Sequence, residues 1–250
     1  MYKFFVKENQ VKNNIIEILG EDVNHIKNVL RLQVDEKIEV CNLDTAKTYI
    51  TKIIEIETNK ILVEMLEKCS KTTESRISLH IFQGLPKQEK MEQIIQKATE
   101  IGVSDITPLK MERCVVKLDE KTAEKKVARW QKIAEVAAKQ SKRDKIPTVH
   151  SCISLKKVYE KLEKCDIVIV AYEEEREISI KQVLKAVDVK EKKNIAVLVG
   201  PEGGIAKEEI DFLKTLPNEK TVTLGRRILR TETAPLVLAS VIMYEFDEME

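Results

Sequence analysis

In "NIAVLVGPEGGIAKEEIDFLKTL", Asn194 to Leu216, an unbroken apolar run is followed by three glycines in five residues and then by apolar positions at helical spacing. That order is a buried strand, a tight turn and a helix. The chain has only seven glycines, and four of them, Gly200, Gly203, Gly204 and Gly225, lie in or just after this stretch. Glycine there permits positive φ and lets main-chain N–H and C=O groups approach a ligand with no Cβ between them. Ligands of open α/β sheets sit just outside the carboxyl ends of strands, which is where this turn falls. A tight connection with no ligand would use the same glycines.

Working outward, "ISLHIF", "DITPL", "DIVIVAY" and "TVTLG" read as further strands, interleaved with helices near 121–140, 206–216 and 234–246. "KMEQIIQKATEIG" places Met91, Ile94, Ile95, Ala98 and Ile101 at helical spacing, with Gly102 as its C-cap. Alternating strands and helices imply a mostly parallel sheet covered on both faces. The first seventy residues differ. Ile38–Cys41, Thr48–Ile56 and Ile61–Leu66 are short β-branched runs, the last two joined by a turn at Glu57–Lys60. A helix starting at Asp22 would place Val23, Ile26, Val29 and Leu30 on one face. The polar segment "CSKTTES", Cys69 to Ser75, divides a small β unit, 1–70, from an α/β domain, 75–250.

Five widely spaced cysteines without a C-x-x-C pair argue for a reducing, cytoplasmic setting and against a zinc site. No apolar run approaches the roughly 20 residues of a membrane span. The net charge of +1 hides an asymmetry: Lys121 to Lys145 holds nine Lys/Arg against three Asp/Glu. Such a run is either a solvated helix face or a surface for phosphates. Trp130, at helical spacing with Ile133, Ala134 and Ala137, is expected in the core.

The glycine turn lacks both G-x-G-x-x-G and the G-x-x-x-x-G-K-[ST] of a P-loop. Glu202 inside it would repel a phosphate, so a neutral ring or a positive centre suits it better; an adenosine carrying a cationic sulfonium has both. A second strand end, "TVTLGRRILRTETAP", can wall the same pocket, with Thr231 and Thr233 placed to cap the helix that Pro235 helps to start. That helix, Leu236 to Phe246, is nearly all apolar and must be covered on more than one side.

"LVGPEGGIAKEEI" followed by "LGRRILRTETA" resembles the SPOUT-class 16S rRNA (uracil-N3)-methyltransferases, the ribosomal RNA small subunit methyltransferase E family. "HIKNVLRL", "KMEQIIQKATEIGV", "PLKMERCVVK" and "RWQKIAEVAAKQSKRDKIP" extend the likeness over nearly the whole chain. The resemblance implies an N-terminal PUA-like β-barrel that helps hold RNA and a SPOUT α/β domain with a C-terminal trefoil knot. It also implies S-adenosyl-L-methionine as donor, a homodimer, and the 16S rRNA of the small subunit as substrate. Four positions depart from the expected pattern: Asp35 stands where a glycine is usual, Ile205 where an aromatic or large apolar residue is frequent, Ala206 where a Ser or Thr would cap its helix, and Lys3 where an arginine is often found.

Donor binding is expected at Leu198, Val199, Gly200, Pro201, Glu202, Gly203, Gly204, Leu224, Gly225, Ile228, Leu229 and Thr233. Methylating a uracil nitrogen requires loss of the N3 proton, so the site must stabilise an anion and accept a proton. Arg230 and Glu232 are the candidates for those two roles. RNA contacts are expected from Gln140, Lys142, Arg143 and Lys145, from Arg226 and Arg227, and more weakly from Lys27 and Arg31. His25, His80 and His150 are scattered and receive no chemistry. A SPOUT enzyme of another specificity, such as ribose 2′-O-methylation, and a non-enzymatic RNA-binding assembly factor are the alternatives.

Overall fold

Short β-branched runs build the first unit. In a computed structural model that describes residues 1–186 and 194–249, Met1–Glu74 and Ala138–Ile146 form one compact unit, and Ser75–Ala137 with Pro147–Glu250 form another. The first contains β1 (Lys3–Val6), β2 (Val11–Lys12), β3 (Ile15–Leu19), α1 (Glu21–Asn24), β4 (Lys37–Asn42), β5 (Lys47–Ile56) and β6 (Lys60–Lys68). These strands make one sheet in the order β1-β4-β5-β6-β3-β2, antiparallel except for β1 beside β4. Alternate residues face inward, so Phe4, Val6, Ile16, Ile18, Ile38, Val40, Ile53, Ile61 and Val63 form its core.

The expected turn at Glu57–Lys60 closes on a hydrogen bond from the Glu57 N–H to the Lys60 carbonyl, 3.0 Å. Asp35 takes the left-handed conformation, φ 74°, required at its turn. The expected helical face is corrected. After α1 the chain widens into a π turn, His25–Val29, in which the Leu30 N–H reaches the His25 carbonyl at 2.8 Å. The wider turn rotates Val29 outward, 63 % exposed, while Val23 and Ile26 stay buried.

The segment Ala138–Ile146 also belongs to this unit, although the sequence boundary placed it with the second. Its anchor is Asp144, whose carboxylate accepts hydrogen bonds from Lys3 Nζ, Thr48 Oγ1, Thr72 Oγ1 and the Thr73 N–H. Burial alone would push that carboxyl up, but Lys3, Thr48 and the Thr73 N–H outweigh it and hold it below the usual range.

The second unit contains β7 (Ser78–Gly84), α2 (Lys90–Ile101), β8 (Asp105–Lys110), α3 (Glu120–Gln140), β9 (Thr148–Val149), β10 (Ile153–Ser154) and α4 (Leu155–Glu163). It continues with β11 (Ile167–Ala171), α5 (Ile180–Ala186), β12 (Asn194–Val199), α6 (Lys207–Leu213), β13 (Glu219–Val222) and α7 (Ala234–Glu245). The last turn of α3, from Ala138, falls in the first unit. Every strand pairing is parallel, in the order β10-β8-β7-β12-β11-β13 with β9 beside β8. β12 lies in the middle, so its two faces are both covered: Ala196 and Leu198 join a cluster with Leu162, Ile210 and Leu213, while α7 packs against β12 and β7. This is why the run Ile195–Val199 is apolar without alternation.

α2 ends as expected on Gly102, φ 110°, whose N–H returns to the Ala98 carbonyl. Trp130 is buried in this unit. Among the described residues no helix is long and apolar enough to cross a membrane, and no group of three ligating side chains could hold a metal.

Candidate active site

The loops that follow β11, β12 and β13 border an open cavity of about 520 Å³. Its walls are Val199–Gly204 after β12, Thr223–Gly225 and Arg227–Thr231 after β13, and Ala171–Glu173 with Arg176 after β11, closed by Lys90 and Ala234. Ten of the twelve residues expected to bind the donor line it; Leu198 and Thr233 do not. Leu198 alternates away into the core beneath the sheet, and Thr233 sits at the start of α7.

The glycines have separate steric reasons. Gly204 has φ 75°, a left-handed conformation that strains any side chain, and the Glu173 carboxylate lies over it. A Cβ on Gly200 would lie 2.7 Å from Ile205 Cγ1 and 3.0 Å from the Gly204 carbonyl carbon, so this turn closes only without one. Two buried side chains clamp the turn from below. The Thr231 hydroxyl donates to the Gly200 carbonyl at 2.7 Å and accepts from Gln83 Nε2 at 3.0 Å, while the same Nε2 donates to the Gly84 carbonyl at 2.9 Å. Gln83 Oε1 is buried with no hydrogen-bond partner. The expected caps are therefore corrected: Thr231 is used by the clamp, and Thr233 makes no side-chain cap bond. The Arg230 carbonyl instead receives the Thr233 and Ala234 N–H groups. At α6, Ala206 supplies no cap, and Glu209 reaches back to its N–H at 3.2 Å.

Charge is arranged around the cavity in both signs. Glu202 accepts from the Lys87 N–H and pairs with Lys90, each at 3.0 Å. Burial works to raise its carboxyl, yet the Lys87 N–H and the Lys90 ammonium hold it below the ordinary value. Glu173 lies over Gly204, and Arg113 Nη1 donates to the Gly203 carbonyl at 3.2 Å. Arg230 is on the rim with its side chain 81 % exposed, Nη1 3.9 Å from Glu232 Oε1. Glu232 turns Oε2 inward to Lys90 Nζ at 3.2 Å, an ion pair without the alignment of a hydrogen bond. Arg230 lines the cavity, and Glu232 stands beside it without lining the cavity itself.

Sequence reading did not single out Lys90, Glu173, Arg113 or Gln83. A readable signal existed for Glu173, since "AYEEE" sets carboxylates at the carboxyl end of a parallel strand. Lys90 belongs to a helix read only for its apolar face.

Among the basic candidates, Gln140, Lys142, Lys145, Arg31, Arg226 and Arg227 are exposed. Lys27 Nζ is held by the Glu57 carbonyl at 2.8 Å. Arg143 corrects the expectation: it is 5 % exposed, and its Nη2 donates to Glu74 Oε2 at 2.6 Å, so it supports the segment from inside. Lys142 takes the left-handed conformation that ends α3, φ 60°, with the Arg143 N–H bonded to the Ala138 carbonyl. Its carbonyl is held by Lys3 Nζ and Thr73 Oγ1, which leaves the ammonium outside.

The RNA methyltransferase domain family model matches residues 73–243, and the RNA methyltransferase PUA domain matches 18–66. The chain is 36 % identical to the ribosomal RNA small subunit methyltransferase E of Bacillus subtilis, over 98 % of this chain and 97 % of that protein. Its fold is similar to the crystal structure of a Neisseria gonorrhoeae ribosomal RNA small subunit methyltransferase E bound to S-adenosyl methionine, with TM-score 0.83, 30 % identity and 97 % of each chain covered. A Legionella pneumophila methyltransferase in complex with the bound cofactor SAM aligns with TM-score 0.85 and 28 % identity over 97 % of each chain. With both domains matched and relatives aligned from end to end, the chain belongs to the ribosomal RNA small subunit methyltransferase E family.

Proposed function

We propose that this protein transfers a methyl group from S-adenosylmethionine to N3 of a specific uridine in the 16S rRNA of the small subunit. The observation that carries the reading is the meeting, around one cavity, of a glycine cradle, the carboxylates Glu173 and Glu202, and Arg230, with Glu232 next to Arg230. The cavity size suits a nucleoside-sized ligand. When bound, the donor supplies an electrophilic methyl on a sulfonium. Leu224, Ile228 and Leu229 offer apolar surface to its adenosine, and Glu173 and Glu202 offer negative potential to the cation. Leu198 and Thr233 support this pocket without lining it.

Arg230 faces the developing uracil anion with a planar, permanently charged fork, and Glu232 accepts the N3 proton. Arg226 and Arg227 in the second unit, and Gln140, Lys142 and Lys145 in the first, are the candidates for RNA contacts, with Arg31 and Lys27 as lesser ones. A reducing, cytoplasmic setting suits five free cysteines.

The same reading includes a homodimer and the C-terminal knot. The dimer is supported by α7, where Val237, Val241 and Tyr244 share a face that its own unit leaves partly or fully open. Incubating undermethylated small subunits with labelled donor and digesting the RNA to nucleosides tests the reaction. Label in 3-methyluridine is the expected result; label in a 2′-O-methyl nucleoside, or none, overturns it.

A further inference from the structure

Lys90 is the first residue of α2, and its ammonium serves two carboxylates from different loops: Glu202 Oε1 at 3.0 Å and Glu232 Oε2 at 3.2 Å. The three side chains are 23 %, 24 % and 17 % exposed, and Lys90 lines the cavity. Glu232 Oε2 is fully buried and has no hydrogen bond, so the ammonium is the charge that compensates this oxygen. With Oε2 turned inward, Oε1 is left on the side where Arg230 stands.

We infer that Lys90 is a positioning residue for methyl transfer, fixing Glu232 through Oε2 so that Oε1 receives the uracil N3 proton. The inference rests on the reading of Glu232 as proton acceptor. In the step itself the N3–H proton passes to Glu232 Oε1 and the nitrogen lone pair forms the new N–C bond. The methyl–sulfur bond breaks, and its electron pair stays on sulfur. Glu232 begins as an anion and ends neutral, and the sulfonium charge is cancelled, so charge and atoms balance. Glu202 shares the same ammonium, which links the donor turn to the proton acceptor. Removing the cation leaves Glu232 with a buried oxygen and no compensating charge, and breaking a desolvated pair from one side is costly.

The test is single-turnover methylation of undermethylated small subunits by Lys90→Met, Lys90→Arg and Glu232→Gln from pH 6 to 9, with donor and RNA affinities measured separately. Lys90→Met is expected to slow the reaction at pH 7 by about tenfold or more and to move the acid limb of the rate profile up by about one unit. The loss should persist at saturating donor, RNA affinity should stay within about twofold, and Lys90→Arg should recover most of the rate. An unchanged profile in Lys90→Met overturns the inference. So does a loss removed entirely by saturating donor, which would make Lys90 a donor-binding residue acting through Glu202. If Glu232→Gln keeps full activity, the proton-acceptor reading itself fails. If Glu232→Gln is inactive while Lys90→Met is normal, only the role of Lys90 is wrong. Lys90→Gln, with thermal melting of each variant, replaces Lys90→Met if that protein does not fold.

Discussion

The Thr231 hydroxyl donates to the Gly200 carbonyl at 2.7 Å, joining the segment before α7 to the glycine turn after β12. Two backbone stretches 31 positions apart are thereby held together as adjoining parts of one cavity wall. Thr231→Val removes this donor and one acceptor of Gln83 Nε2 while keeping the side-chain shape. Stability should fall by about 1–3 kcal/mol, the cost of leaving buried polar groups underbonded. Donor affinity should fall with it, and isothermal calorimetry beside urea unfolding measures both. Full donor affinity in a destabilised protein would show that the clamp does not shape the pocket.

Arg230→Lys keeps the charge and removes the fork. Single-turnover methylation should slow at least about tenfold, roughly 1.4 kcal/mol, with donor and RNA affinity little changed. Higher pH should restore part of the rate, because more uracil is then already deprotonated. Loss of RNA affinity in proportion to rate would make Arg230 a binding residue.

In the first unit, Lys142 and Arg143 should behave oppositely. Lys142→Ala should weaken RNA binding and lower the slope of log K against log salt by about one, as for one lost phosphate contact. Arg143→Ala takes the guanidinium from the largely covered Glu74, which keeps the Asp144 and Lys145 N–H groups, and should cost about 1–3 kcal/mol of stability. Salt titrations and urea melts separate the two. Equal salt slopes in wild type and Lys142→Ala would return this segment to ordinary solvated surface.

The dimer proposal is tested at Tyr244, which is 73 % exposed on α7, rather than at Leu238, which is buried in its own unit. Tyr244→Asp should shift sedimentation from dimer to monomer at micromolar concentration with the fold intact. A monomeric wild type would end the proposal.

Asp105 provides a pH signature away from the cavity. Its carboxyl sits 2.7 Å from His80 Nδ1 and 3.7 Å from His150 Nε2. Burial raises its pKa, but the His150 and His80 imidazoles prevail and bring it to about 2. A depressed carboxyl stabilises the fold above its unfolded value near 4, and that contribution is lost as pH falls toward 2. Asp105→Asn should therefore be about 2 kcal/mol less stable than wild type at pH 6, with the gap closing between about pH 4 and 2. A gap independent of pH would assign the loss to packing.

Much of the site was readable because its chemistry is local. Gly200, Gly203 and Gly204 lie within five residues after an apolar run, and Arg230 and Glu232 lie just before an apolar helix. Neighbours in sequence at a strand end remain neighbours in space. Arg143 escapes a sequence reading for the complementary reason: a basic run shows charge but not direction, and Glu74, its partner, is 69 residues away. The outward turn of Val29 escapes it too, because a π turn leaves no mark in apolar spacing.

The sequence by itself determined the element types, the parallel sheet and the glycine turn, since periodicity and the glycine's missing Cβ act within a few residues. Only the tertiary structure decided which polar groups meet. Lys90 reaches Glu202 and Glu232, Thr231 reaches Gly200, and Asp144 reaches Lys3 because side-by-side strands bring their ends together whatever their separation along the chain. Burial then sets the energy of each meeting. An ammonium between two partly desolvated carboxylates is a different chemical group from a lysine in a helical face, and its surroundings come from segments that no local pattern connects.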